Sequence, residues 1–202
     1  MLTREQSNKL PRELENPIDN IVIDFTYFFG DSFKRNKFTP NMLTTLSTIT
    51  AILCLYTVYN KKYILGIVFL FISYFFDCFD GNFARRYNME THFGDYFDHI
   101  KDIIFYVILQ LLLFYRLRKH PLFFIVLFVY LIIFILGLLF HGCTNIYIRN
   151  KNIKFLDSKT ISSSESLCYS KPEKLIRKYR YYSMGTSILY LGFIIYLLHS
   201  HQ

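Results

Sequence analysis

Two long stretches of this chain carry no acidic residue: none lies between Asp31 and Asp77, and none between Asp102 and Asp157. Five aspartates, Asp77, Asp80, Asp95, Asp98 and Asp102, crowd the interval between them. The acid-free stretches contain uncharged runs of 18 residues at 42–59 and 20 at 121–140, and a third run of 17 lies at 182–198. Each is close to the roughly 20 residues that an α-helix needs to cross a bilayer core. Two further runs, 63–76 and 103–115, reach that length only if their helices continue into the acidic cluster, from 63 to 84 and from 96 to 115. A carboxylate carried into a membrane is costly unless it lines a wet cavity or meets a cation, so those two helices mark a functional site by default. The plainer alternative is a polar loop between two short helices.

The expected fold is therefore an all-α integral membrane protein, a bundle of about five to six transmembrane helices preceded by an amphipathic interfacial helix. A chain of 202 residues allows one domain, divided into an arm at 1–39 and a membrane domain at 40–202. With 52% hydrophobic and 19% charged residues, against about 25% charged in soluble proteins, a disordered polyampholyte is excluded. In the arm, Ile18, Ile21, Val22, Phe25, Phe28, Phe29 and Phe33 recur at three- and four-residue steps, with Asp19, Asn20, Asp24 and Asp31 on the other side. That pattern suits a helix lying on a membrane surface. The first fifteen residues are polar and of mixed charge, unlike a cleavable signal peptide.

Five spans place 18 of the 23 Lys and Arg residues on the face that holds the arm, the acidic cluster and the segment 141–181. The bias puts that face in the cytoplasm, and the endoplasmic reticulum is the expected membrane in a eukaryotic host. The net charge of +8 is a topology signal and an attraction for anionic membrane lipids; no nucleic-acid module accompanies it, so no nucleic-acid partner is expected. The four cysteines, Cys54, Cys78, Cys143 and Cys168, contain no CxxC pair and give no disulfide framework and no zinc signature.

On a helix, Asp77 and Asp80 lie one turn apart and share a face with Gly81 and Ala84. Asp98 and Asp102 share a face of the next helix, with Gly94 one turn earlier. A short turn around Asn88 would bring the four carboxylates together. Like charges that close repel unless a cation intervenes, and hard oxygen donors suit Mg²⁺ or Mn²⁺, two of which can clamp a phosphoryl displacement. Small residues at Gly81, Ala84 and Gly94 leave room for a base or diphosphate, and Arg85 can fork onto phosphate oxygens. Asp95 reads as a helix cap or an extra cluster member, and His99 and Lys101 as substrate contacts or water-facing residues. The basic run Lys171, Lys174, Arg177, Lys178 and Arg180 fits either the positive-inside bias or an acceptor phosphate.

These residues complete the pattern D-x2-D-G-x2-A-R-x8-G-x3-D-x3-D at all fixed positions: Asp77, Asp80, Gly81, Ala84, Arg85, Gly94, Asp98 and Asp102. In this the chain resembles the CDP-alcohol phosphatidyltransferases (CDP-alcohol phosphotransferases), class I. The resemblance implies a transferase of phospholipid biosynthesis with a defined chemistry: a substituted phosphate passes from a CDP-linked donor to an alcohol hydroxyl, and CMP is released. It implies that Asp77, Asp80, Asp98 and Asp102 hold two divalent ions, that Asp102 is also the catalytic base, and that Gly81, Ala84, Arg85 and Gly94 contact CDP. It also implies a homodimer.

Two subfamilies differ in the alcohol. Asn88, Thr91 and Phe93 are similar to phosphatidylinositol synthases, which use CDP-diacylglycerol and inositol, although Ile103 stands where an arginine is usual. Phe97-Asp98-His99 is similar to the choline/ethanolamine phosphotransferases, which use diacylglycerol and a CDP-aminoalcohol but are about twice as long. The first is favoured. From other classes, an ion transporter would spread its acids over several spans, and a non-catalytic scaffold would have no reason to keep the whole octad.

Overall fold

The structure is a computed structural model that describes residues 2–151 and 164–201. The described residues form helices joined by short turns, without a strand. In chain order the helices are α1 (Arg4–Ser7), α2 (Pro17–Arg35), α3 (Pro40–Tyr59), α4 (Tyr63–Arg86), α5 (His92–Leu117), α6 (Phe123–Asn150), α7 (Pro172–Tyr179) and α8 (Met184–Ser200).

Local chemistry sets several of these boundaries. The Thr39 hydroxyl accepts from the Met42 N–H and Pro40 opens α3, a favourable start because the missing N–H would have no helical partner there. Lys61 and Asn88 adopt the left-handed conformation, with φ of 60° and 52°, and turn the chain between α3 and α4 and between α4 and α5. The Thr91 hydroxyl accepts from the Gly94 N–H and starts α5.

Three helices, α3, α4 and α6, and the run Pro172–Ser200 that contains α7 and α8 are long and apolar enough to cross a membrane. This fits an integral membrane bundle. The remaining expected span, 96–115, falls within the helix α5, 26 residues long, which is not among those apolar enough to cross a membrane. It stands apart in composition because every 18-residue stretch of it contains at least three charged residues. The sequence ended the fourth span at 140, whereas α6 continues ten residues further, to Asn150.

The main core lies among α3, α4, α5 and α8. Leu109, Leu113 and Leu117, at four-residue steps on α5, are fully buried with Leu70, Ile188, Ile194 and Ile195. In lipid, close packing and interhelical hydrogen bonds must supply much of the attraction between helices. Ser47 and Ser73 meet this need by each donating to the other's backbone carbonyl at 3.1 Å, which ties α3 to α4.

The arm docks polar side inward. Asp19 accepts from the hydroxyls of Tyr74 on α4 and Ser183 before α8. Arg86 of α4 is buried, forks onto Asp31, donates to the Tyr27 carbonyl at 2.6 Å and lies 3.8 Å from the centre of the Tyr27 ring. The expected apolar stripe faces away from the bundle at Ile21, Phe25, Phe28 and Phe29, all exposed, as an interfacial helix requires.

The cysteines depart from expectation: Cys143 and Cys168 form a disulfide. The added length of α6 carries Cys143 past the expected end of its helix and against the segment that leads into α7. Cys54 and Cys78 are unpaired thiols.

Candidate active site

The hairpin of α4 and α5 builds the site from four-residue periodicity. Asp77 projects from α4, and Asp98 and Asp102 from successive turns of α5; one carboxylate oxygen from each lies within 4.8 Å of the others. Three convergent carboxylates at that separation fit a hard divalent cation bound through oxygen. Asp80, one turn beyond Asp77, stands apart from this trio and is 4% exposed. The Thr44 hydroxyl of α3 donates to Asp80 Oδ2 at 2.6 Å and fixes its orientation.

Lys101 enters the trio itself. Its Nζ donates to Asp77 Oδ1, to Asp98 Oδ1 at 3.0 Å and to Ser47 Oγ at 3.2 Å, and lies 2.8 Å from Asp102 Oδ1. The expectation of a substrate contact or a water-facing lysine at this position is corrected: Lys101 is 8% exposed and turned inward. One signal for it was present in the sequence, since Lys101 is the single Lys or Arg between Arg86 and Arg116. A cation flanked by Asp98 and Asp102 on a helix that runs on into an apolar stretch has strong reason to turn toward carboxylates.

An open cleft runs beside the trio, walled by Asp80, Gly81, Ala84 and Arg85 of α4, Gly94, Asp95, Asp98 and His99 of α5, and Pro40, Asn41 and Thr44 of α3. All four residues named as CDP contacts thus line the same space as Asp80 and Asp98. A Cβ at Gly94 would stand 3.0 Å from both Asn41 Oδ1 and Thr91 Oγ1, so glycine lets α3 and α5 approach. A Cβ at Gly81 would stand 3.2 Å from Arg85 Nη1, so glycine leaves the guanidinium room to lie along α4. Arg85 Nε donates to the Ser7 carbonyl at 2.7 Å and Nη2 to Asn82 Oδ1 at 3.1 Å. The arm therefore holds this arginine in place.

Two further features escaped the sequence reading. The arm brings Lys9 into the cleft wall beside Arg85. Across from it, burial pushes the Glu90 carboxyl up. Asp95 lies in the first turn of α5, whose capping side chain is Thr91. The basic run is elsewhere: Lys171, Lys174 and Arg177 border a separate groove with Tyr147 and Lys151.

The family model for CDP-alcohol phosphatidyltransferases matches residues 37–200. The chain belongs to this family. The matched segment contains the whole octad and leaves out most of the arm, including Ser7 and Lys9. A CDP-diacylglycerol–glycerol-3-phosphate 3-phosphatidyltransferase from Aquifex aeolicus (strain VF5) is 32% identical over 90 residues, covering 44% of this chain and 51% of that protein. The chain thus spans about half the length of the curated relative it matches. No solved structure gives a significant match.

Proposed function

We propose that this member of the CDP-alcohol phosphatidyltransferase family moves a phosphatidyl group from CDP-diacylglycerol to the hydroxyl of a small alcohol and releases CMP. The observation that carries this reading is the single cleft that gathers Asp80, Gly81, Ala84, Arg85, Gly94 and Asp98 beside the trio of Asp77, Asp98 and Asp102. The excess of Lys and Arg on the same face supports a cytoplasmic site. A homodimer is supported by the family resemblance alone.

Each residue then has a defined task. Asp102 takes the proton from the acceptor hydroxyl, and the resulting oxygen attacks the phosphorus distal to cytidine. The new phosphorus–oxygen bond replaces the one to the bridging oxygen, which leaves with CMP. Arg85, braced by the Ser7 carbonyl, holds phosphate oxygens through its charged N–H groups. Asp77, Asp80, Asp98 and Asp102 would hold divalent metal, Mg²⁺ or Mn²⁺, which when bound neutralises the diphosphate and stabilises the leaving group.

For the acceptor, a phosphorylated alcohol of the glycerol 3-phosphate kind is favoured. Lys9 adds a second cation to the cleft beside Arg85, and the Aquifex relative is named for that acceptor. Inositol is the second reading, supported by Asn88, Thr91 and Phe93. Those residues have local duties, however: Asn88 makes the left-handed turn, Thr91 caps α5, and Phe93 is 70% exposed. A CDP-aminoalcohol donor with diacylglycerol is a further alternative.

The deciding experiment supplies purified protein with Mn²⁺, labelled CDP-diacylglycerol and one acceptor at a time. CMP release with glycerol 3-phosphate, and little with inositol, is the expected outcome. Inositol-dependent release would replace the acceptor, release only with CDP-ethanolamine and diacylglycerol would replace the donor, and no release with any pair would favour a scaffold or transporter.

A further inference from the structure

We propose that Lys101 permanently occupies one of the two cation positions of the aspartate cage, so that this site takes a single divalent ion, on the side of Asp80 and Asp98. The proposal rests on the metal-dependent reading above and changes its stoichiometry and its ligands: Asp80 and Asp98 face the ion, while Asp77 and Asp102 face the lysine.

The geometry of the ammonium carries it. Lysine has three N–H donors and no acceptor, and Lys101 Nζ lies among four oxygens, from Asp77, Asp98, Asp102 and Ser47. These include the three carboxylates whose oxygens lie within 4.8 Å of one another. An ion there would need oxygens at roughly 2.1 Å for Mg²⁺, in the volume the ammonium already fills. The two cannot occupy the trio together.

Vacating that position would be costly. The Lys101 side chain is 5% exposed, and Ser47, which is fully buried in the α3–α4 seam, anchors it from the opposite side. Withdrawal would leave three carboxylates facing one another while moving a charged amine through a packed helix interface. Asp80 lies outside the lysine's contacts, bound instead to Thr44. Asp80 and Asp98 also line the cleft, so a substrate diphosphate and an ion can meet there without displacing Lys101. The lysine is thus a positioning residue: its fixed charge orients Asp77 and Asp102, while the cleft-side ion contacts substrate.

The test counts Mn²⁺ bound per full-length chain in detergent with CDP present, from the loss of the free Mn²⁺ electron paramagnetic resonance signal on titration. Wild type is expected to bind one ion per chain, and Lys101→Ala and Lys101→Gln two. Two ions in wild type overturn the proposal while leaving the metal-dependent reading intact. One ion in a folded neutral variant also overturns it, because the lysine would then not be what fills the second position. No binding by any of the proteins overturns both. The wild-type count stands by itself if one variant fails to fold, and the other neutral variant supplies the comparison.

Discussion

Thr44 shows how much of the site depends on a side chain outside the octad. Its hydroxyl holds Asp80 Oδ2 at 2.6 Å from the neighbouring helix, and groups that orient a metal-binding carboxylate commonly contribute 10- to 100-fold to metal affinity. Thr44→Val keeps the shape and removes the donor. The Mn²⁺ concentration for half-maximal CMP release should rise by about 10-fold or more, with the maximal rate less affected; an unchanged Mn²⁺ dependence would place Asp80 outside metal binding. At this scale the aspartates were legible because helical spacing alone puts Asp77 with Asp80 and Asp98 with Asp102. Thr44 was not, since hydroxyls recur along α3 at Thr44, Thr45, Ser47 and Thr48 and nothing local distinguishes the one that faces Asp80. Lys101 was visible as an isolated cation, but its direction depends on Ser47 of another helix, which only the packing of α3 against α5 supplies.

The contact between α2 and α8 shows the same division among elements. The apolar stripe from Ile18 to Phe33 was legible as an interfacial helix from its periodicity. Its polar side was less so, because the partners of Asp19 and Asp31 come from Tyr74, Ser183, Arg86 and Tyr87, distant in sequence. Gly185, in the first turn of α8, makes the approach possible: a Cβ there would overlap Asp19 Oδ1 and stand 2.9 Å from Ile18 Cβ. Overpacking of this kind costs about 1–3 kcal/mol, so Gly185→Ala should lower the melting temperature even though alanine favours a helix. Gly192→Ala is the control, because its Cβ would meet the Phe71 ring at an ordinary 3.6 Å. It should be neutral or stabilise by up to about 1 kcal/mol. Equal melting temperatures for the two variants would mean that the arm does not dock on α8 in solution.

Over the whole molecule, an unequal distribution of charge separates lipid-facing surface from working surface. Residues such as Phe124, Ile125, Phe128 and Ile135 of α6 are exposed and apolar, which suits hydrocarbon contact, while the aspartates of α4 and α5 gather at the end of the bundle where those two helices join. Five of the helices followed from runs of uncharged residues. The extension of α6 to Asn150 did not, because polar residues at 141–150 are compatible with either a loop or a helix that has left the apolar layer. The Cys143–Cys168 pairing was hidden for the same reason. The central claim, that caged divalent metal enables phosphotransfer at this end of the bundle, is tested most directly by CMP release from CDP-diacylglycerol in protein stripped with EDTA and then titrated with Mn²⁺. Stripped protein should release none, Mn²⁺ should restore release, and Asp102→Asn should remain about 10²- to 10⁴-fold slower at saturating Mn²⁺. Undiminished release in EDTA, or an Asp102→Asn protein as fast as wild type, would contradict the account.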